Sequence, residues 1–174
     1  MPELRVELDP SVDALADELI ALWVDVSNAG GAVGFVPPVT ESDVRPIAEE
    51  AFAKAAGDWS HLLVAFEQGR SVGFCFLEFR PGPLFHHWAT IKRLQIHPSF
   101  HRRGYGRAFL ARVEEIASKQ LGLEQIHLTV RGGTGTEAFY LGAGYEEVAR
   151  IPGLIRVAPG DDRDEIYLIK YLSN

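Results

Sequence analysis

The sequence predicts an α/β domain built on a mixed sheet of about seven strands flanked by about four helices. Two observations carry this expectation. Segments with period-two and helical hydrophobic spacing follow one another as strand, two helices, three strands, helix, strand, helix and two strands. A chain of 174 residues, 47% of them hydrophobic, can also bury one core without help from a disulfide or a metal. Residues 1–174 are therefore expected to form a single domain.

The elements follow in order. LRVEL (4–8) alternates like a strand. After Asp9-Pro10-Ser11, the apolar positions Val12, Leu15, Ala16, Leu19, Leu22, Trp23 and Val26 recur at helical spacing, with Ser11 or Asp9 as the expected cap. NAGGAVGFVPP (28–38) is a glycine and proline loop too apolar for a plain linker, and Thr40 to Ala56 reads as a second helix despite Pro46. HLLVAF (61–66) and SVGFCFLEF (71–79), joined by Glu67-Gln68-Gly69-Arg70, predict a hairpin. The loop RPGPLFHH leads into the strand WATIKRLQIH (88–97). Gly104 to Leu121 is a helix with Phe109, Leu110, Val113 and Ile116 on one face and Gly122 at its stop. EQIHLTV (124–130) is a strand, 136–141 a short helix and 145–151 a strand. A polar loop over Pro152 to Asp164 precedes the last strand, DEIYLIKYL (164–172).

Charge narrows the function. The net charge of −7 argues against nucleic acid as a partner, because such proteins need a basic face to replace phosphate counterions. Yet no Asp or Glu lies between Phe79 and Val113, a span that holds Arg80, Lys92, Arg93, Arg102, Arg103, Arg107, Arg112 and four histidines. A locally basic segment in an acidic chain points to one anionic ligand of limited size. The single cysteine, Cys75, sits in an apolar run and cannot form an internal disulfide. No stretch approaches the roughly 20 apolar residues of a membrane span, and MPELRVELDP lacks a signal-peptide pattern, so no membrane partner and a cytoplasmic location are expected.

The basic segment contains HPSFHRRGYGRAFL (97–110). A strand ending at His97-Pro98, a short loop and a helix opening at Gly104 would aim several unpaired backbone N–H groups at one spot. Phosphate fits there: Gly104 and Gly106 permit close approach, the helix dipole favours an anion, and Arg102, Arg103 or Arg107 can add charge. A glycine turn with a solvated basic face is the plain alternative. Two nucleotide loops fit poorly, since Arg107-Ala108 stands where a Walker loop needs Lys-Ser/Thr and Phe109 where a dinucleotide fingerprint needs its third glycine.

LQIHPSFHRRGYGRAFL resembles the acetyl-CoA motif of the GNAT superfamily of N-acetyltransferases, whose Gln/Arg-x-x-Gly-x-Gly/Ala loop opens a helix after a strand. His101 takes the place of the Gln or Arg. TEAFYLGAGYEEV (136–148) resembles a later segment of that family, with Tyr140 four residues before Gly144-Tyr145 and Gly133 where an asparagine is frequent. Shorter strings (GGAVGF, AFY, IPG and DEIYLIKYL) look most like the tabtoxin-resistance type of acetyltransferase. The resemblance implies a mixed, mostly antiparallel sheet and acetyl-CoA as co-substrate. It further implies that Leu94 and Ile96 pair with the pantetheine, that the loop of His101, Arg102, Arg103, Gly104, Tyr105, Gly106 and Arg107 holds the pyrophosphate through its backbone N–H groups, that Tyr140 stands at the CoA sulfur, and that Gln95 and Phe139 also belong to the cofactor site.

Acetyl transfer to an amine needs a neutral nitrogen, a stabilised oxyanion and a proton for the departing thiolate. By resemblance Tyr140 is the general acid, and backbone N–H groups near Leu94 to Ile96 polarise the carbonyl. Glu78, His86 and His87 are the available bases, each with a structural or solvent-facing alternative. The adjacent histidines have no partners at metal-ligand spacing, so no metal is expected, and mid-strand Cys75 reads as core rather than acyl carrier. The loops 28–38 and 152–164 should shape the acceptor pocket. Asp161, Asp162, Asp164 and Glu165 could attract an amine there, or form a solvated charge run.

The sequence thus favours an N-acetyltransferase acting on a small amine, in the resistance type an amino-acid-like toxin or antibiotic. A non-catalytic acyl-CoA-binding module and a protein N-acetyltransferase are the alternatives. A homodimer could form through the last strand unless that edge is covered by the chain itself.

Overall fold

The computed structural model describes residues 4–173. Four strands come first in space: β1 (Arg5–Leu8), β2 (Ser60–Glu67), β3 (Arg70–Glu78) and β4 (Trp88–Ile96), each antiparallel to the next. The second half contributes β5 (Gln125–Arg131), β6 (Glu146–Ala158) and β7 (Asp161–Tyr171), and the spatial order is β1-β2-β3-β4-β5-β7-β6. Only β4 and β5 are parallel, so the sheet is mixed and mostly antiparallel. Four helices flank it: α1 (Ala16–Asn28), α2 (Glu41–Ala55), α3 (Tyr105–Lys119) and α4 (Thr136–Leu141).

The pleat sorts the side chains into two cores. Leu62, Val64, Phe74 and Phe76 turn to one face, where Trp23 of α1 meets Phe74 edge-on at 5.8 Å and Phe52 of α2 lies 6.1 Å from Phe76. Leu63, Cys75, Leu77, Ala89 and Ile91 turn to the other, against Phe109, Leu110, Val113 and Ile116 of α3 and Tyr140 of α4. Full burial of each large side chain here contributes on the order of 1.5–3 kcal/mol.

Local chemistry sets the boundaries. Gln68 and Gly69 both have positive φ, 49° and 82°, as a tight β2–β3 turn requires. α2 passes through Pro46 because its start is fixed upstream, where Asp43 accepts hydrogen bonds from the Thr40 N–H at 2.8 Å and hydroxyl at 2.7 Å. The expected cap of α1 is a correction. Neither Ser11 nor Asp9 caps it, because Asp9 turns back to accept the Leu62 N–H at 2.9 Å and to pair with His61 at 2.6 Å; the chain then makes a turn and the helix begins at Ala16.

The second correction is larger. Pro152 to Asp164 is not a loop but most of a long hairpin, with the turn at Pro159-Gly160 and Gly160 at φ 80°. Pro152-Gly153 does not end the strand. It forms a bulge whose Gly153 N–H donates to Asp164 at 3.1 Å. The last strand, β7, is therefore paired on both sides, by β5 and β6, and β6 is the sheet edge, with Val148, Ile151 and Leu154 exposed along it.

Gly73 of β3 is the tightest point beside β4. A Cβ there would lie 2.4 Å from the Gln95 carbonyl oxygen and 2.5 Å from Ile96 Cδ1. Gly73→Ala should destabilise the fold by about 2 kcal/mol, as overpacking against backbone does, and urea titration measures it.

Candidate active site

The site begins with a defect in β4. Phe74 pairs with Gln95 and Phe76 with Lys92, so Arg93 and Leu94 together face only Cys75 across the ladder. Arg93 occupies the left-handed region at φ 55°, which turns the strand at this bulge. On its other edge β4 pairs with β5 only over Trp88–Gln125, Ala89–Ile126 and Thr90–His127. Beyond Thr90 the strands part, and the β5-facing ladder groups of residues 91–96 have no strand beside them.

A cleft of about 720 Å³ opens on the α3 side of this split. Leu94 and Ile96 form its strand wall, Phe100, His101, Arg102, Gly104, Gly106 and Arg107 its glycine-rich end, and Thr134, Gly135, Thr136, Phe139 and Tyr140 the wall from α4 and the turn before it. Gly104 stands at φ 83° as the residue before α3, a conformation that favours glycine. The first backbone bond into the helix is Ala108 N–H to the Gly104 carbonyl, so the N–H groups of Gly104, Tyr105, Gly106 and Arg107 have no backbone acceptor among the described residues. They converge where the helix dipole favours an anion.

Nine of the residues expected to hold a cofactor line this cleft: Leu94, Ile96, His101, Arg102, Gly104, Gly106, Arg107, Phe139 and Tyr140. Three side chains expected there point elsewhere. Gln95 is buried and its amide donates to the Arg93 carbonyl at 3.2 Å. Tyr105 is buried with its hydroxyl bonded to Glu67, and Arg103 stacks over Phe100 and Tyr105 at 5.5 and 5.2 Å. Of these last two, only the backbone of Tyr105 belongs to the N–H cluster. His101, standing where the family motif has Gln or Arg, donates its Nε2–H to the Ile96 carbonyl at 2.7 Å and so ties the loop to the strand. Arg107 donates to the Gly142 carbonyl at 2.6 Å, joining α3 to α4, whereas Arg102 makes no ion pair among the described residues.

Tyr140 is the pivot. It is 5% exposed, and its hydroxyl has no hydrogen-bond partner among the described residues. It borders both the large cleft and a narrow throat of about 50 Å³ running through the β4–β5 split beside Arg93, Leu94, Thr129 and Arg131. Burial, with Cys75 nearby, holds its phenol pKa well above the ordinary value, so the hydroxyl keeps its proton at neutral pH.

On the far side of the throat lies a cavity of about 300 Å³ between the 28–38 loop (Ala32, Gly34, Phe35, Val36) and Ile155, Arg156 and Val157 of β6. The loop is pinned at both ends. Asn28 donates to the Val39 carbonyl and accepts its N–H, both at 2.9 Å, and the Trp23 indole donates to Val33 at 3.0 Å.

Glu78, His86 and His87 are not brought to Tyr140. Glu78 ends β3 opposite Ser60 and Thr90, and His87 sits where β4 and β5 are still joined, its carbonyl accepting from Glu124 and Gln125. None of the three lines the cleft, the throat or the far cavity. The acidic run is not a free amine trap either. Within the hairpin Asp161 pairs with Arg163, Asp162 with Arg156 at 2.6 Å, Asp164 with Arg150 at 3.5 Å, and Glu165 accepts from Tyr167 at 2.8 Å. The turn Gly132-Gly133-Thr134-Gly135-Thr136 is the part sequence reasoning missed; a second glycine-rich turn opening a helix was its visible signal.

A split parallel pair, an N–H cluster at a helix start and a buried tyrosine between them define an acyl-transfer architecture. Residues 58–147 match the acetyltransferase (GNAT) domain family, and since this is more than half of the chain, the protein belongs to that family and is a GNAT-type acyltransferase. Similar solved structures include a provisionally assigned phosphinothricin N-acetyltransferase (TM-score 0.81, 20% identity, 99% of this chain and 100% of that one). Another is the ribosomal-protein-S18-alanine N-acetyltransferase of Escherichia coli (0.70, 18%, 99% and 96%). A third is yncA from Salmonella typhimurium, a provisionally assigned acetyltransferase solved with its cofactor acetyl-CoA (0.72, 15%, 99% and 96%). At these identities the likeness is one of fold. No helix among the described residues is long and apolar enough to cross a membrane.

Cys75 is fully buried, and desolvation alone pushes its thiol pKa far up. The native protein should therefore give no thiol reaction with Ellman's reagent at pH 8, and one equivalent after unfolding in guanidinium.

Proposed function

We propose that the protein transfers an acetyl group from acetyl-CoA to the amine of a small molecule. The observation that carries the reading is Tyr140, a buried phenol with an unpartnered hydroxyl at the junction of the large cleft and the throat. The cleft fits the cofactor by its chemistry: a cluster of free N–H groups and the unpaired Arg102 for the diphosphate, and the unpaired edge of β4 at Leu94 and Ile96 for an amide-bearing chain. When bound, acetyl-CoA supplies an acetyl thioester, whose C–S bond is exchanged for a C–N bond to the acceptor.

The residues divide the remaining work. The Gly104–Arg107 N–H groups bind and orient the anionic end. Backbone N–H groups at the β4 bulge polarise the thioester carbonyl. Tyr140 gives its proton to the departing sulfur, and its raised pKa keeps that proton available. The acceptor reaches the throat from the 300 Å³ cavity, whose fixed roof and limited size favour a small molecule over a protein chain. No carboxylate or imidazole lines the throat or this cavity, so the nitrogen's proton leaves to water.

Two tests follow from this division. Tyr140→Phe should lower kcat by roughly 10²- to 10⁴-fold, the usual contribution of a general acid, with acetyl-CoA affinity within about threefold of the parent by calorimetry; unchanged kcat would remove the assigned role. Gly104→Glu, if folded by circular dichroism, should bind no acetyl-CoA, because its carboxylate would crowd and repel the phosphates.

The pH profile is the third. A neutral nitrogen is required and no enzyme base is placed to make it, so log(kcat/KM) should rise with pH along the acceptor's own ionisation. The raised Tyr140 pKa adds no descending limb below pH 10. A bell centred near neutrality would indicate an enzymic base and contradict this scheme.

A further inference from the structure

The throat is basic, contrary to what an amine acceptor alone would select. Arg93 and Arg131 both line it together with Tyr140, and neither makes an ion pair among the described residues. Arg93 is held in place rather than left to wander. Its guanidinium lies over the Trp23 ring at 4.9 Å, and its Nε sits beside Gly34 of the acceptor-side loop, 3.7 Å from where a Cβ would stand. It is half-buried, and desolvation pulls its pKa below the usual arginine value while Glu78 and Glu50 act the other way. Arg131, at the end of β5, lines the far cavity as well. There the only other charged lining residue is Arg156, already paired with Asp162.

A half-buried guanidinium with no carboxylate in contact, Glu78 and Glu50 acting on it only from a distance, leaves part of its desolvation cost unmet, and an anion placed against it would offset that cost. We infer that the acceptor is an amine that also bears an anionic group, a carboxylate as in a free amino acid, and that Arg93, assisted by Arg131, binds that group. This rests on the transferase reading for the amine half of the molecule. With the carboxylate on Arg93, an amine two bonds from the carboxyl carbon lies in the throat that Tyr140 borders, and the rest of the acceptor meets Phe35, Val36, Ile155 and Val157. A site built this way also rejects neutral amines, because they leave the guanidinium desolvated and unpaired.

The test is CoA release from acetyl-CoA with matched acceptors: free L-amino acids, their C-terminal amides and their decarboxylated amines, alongside Arg93→Gln and Arg93→Lys. The acids should exceed their amides in kcat/KM by roughly ten- to hundredfold, the range for one hydrogen bond to a charged group. Arg93→Gln should erase most of that ratio while keeping acetyl-CoA affinity, and Arg93→Lys should restore part of it. Turnover of amides and decarboxylated amines as fast as the acids would overturn the anion site and leave the transferase reading standing. If no acceptor is turned over, the transferase reading fails, and calorimetry of the acids against CoA-loaded protein decides the rest: binding lost in Arg93→Gln supports the site, and no binding rejects it.

Discussion

Everything at the functional end of this protein depends on a ladder that stops after three residue pairs. A parallel pair normally hides both strands from solvent, but β4 and β5 part beyond Thr90 and His127. Backbone groups in a sheet interior are otherwise consumed by neighbouring strands. Here they remain available on β4 in the middle of the molecule. The bulge at Arg93 accompanies that separation, and a non-glycine residue at φ 55° is held there by its contacts with Trp23 and the loop above it.

The rest of the architecture brings two chemically different faces to that gap. α3 starts beside it with a cluster of unsatisfied N–H groups, and α4 delivers Tyr140 into it. From the opposite face, the loop between α1 and α2 and the second half of β6 close over it. The side chains of His101 and Arg107, which line the cleft, and of Asn28 at the far loop do a structural task. Each fixes a loop or helix end to a neighbour, His101 to Ile96, Arg107 to Gly142 and Asn28 to Val39. The relative position of cleft, throat and far cavity is therefore set by hydrogen bonds between neighbouring loops, strands and helix ends.

Features governed by neighbours in sequence were legible before the fold was known. The Gly104-x-Gly106 loop and the helix after it are local, as are the strand patterns and the order of elements, and family resemblance supplied the place of Tyr140. What escaped was set by partners far along the chain or by a break in pattern. The acidic run at 161–165 reads as available charge, yet Arg150 and Arg156 reach it from the adjacent strand and Arg163 from within. Arg93 is the clearest case. Strict alternation from Ile91 would point it toward α3, but the extra residue in β4 reverses the phase and delivers it to Trp23 of α1. Pro152-Gly153 misleads for a related reason, since a bulge and a strand end have the same composition.

The three-pair junction also divides the sheet mechanically. Strands β1 to β4 form one continuous network of backbone bonds and β5, β7 and β6 form another, joined at one end like the two arms of a clothes peg. A molecule lying in the gap cross-links the arms where the polypeptide leaves them apart. Bound there, it would stand in for a missing strand, and its binding free energy would add to the stability of the whole sheet. Occupancy of the gap would then be legible in the melting temperature and hydrogen-exchange pattern of the fold itself.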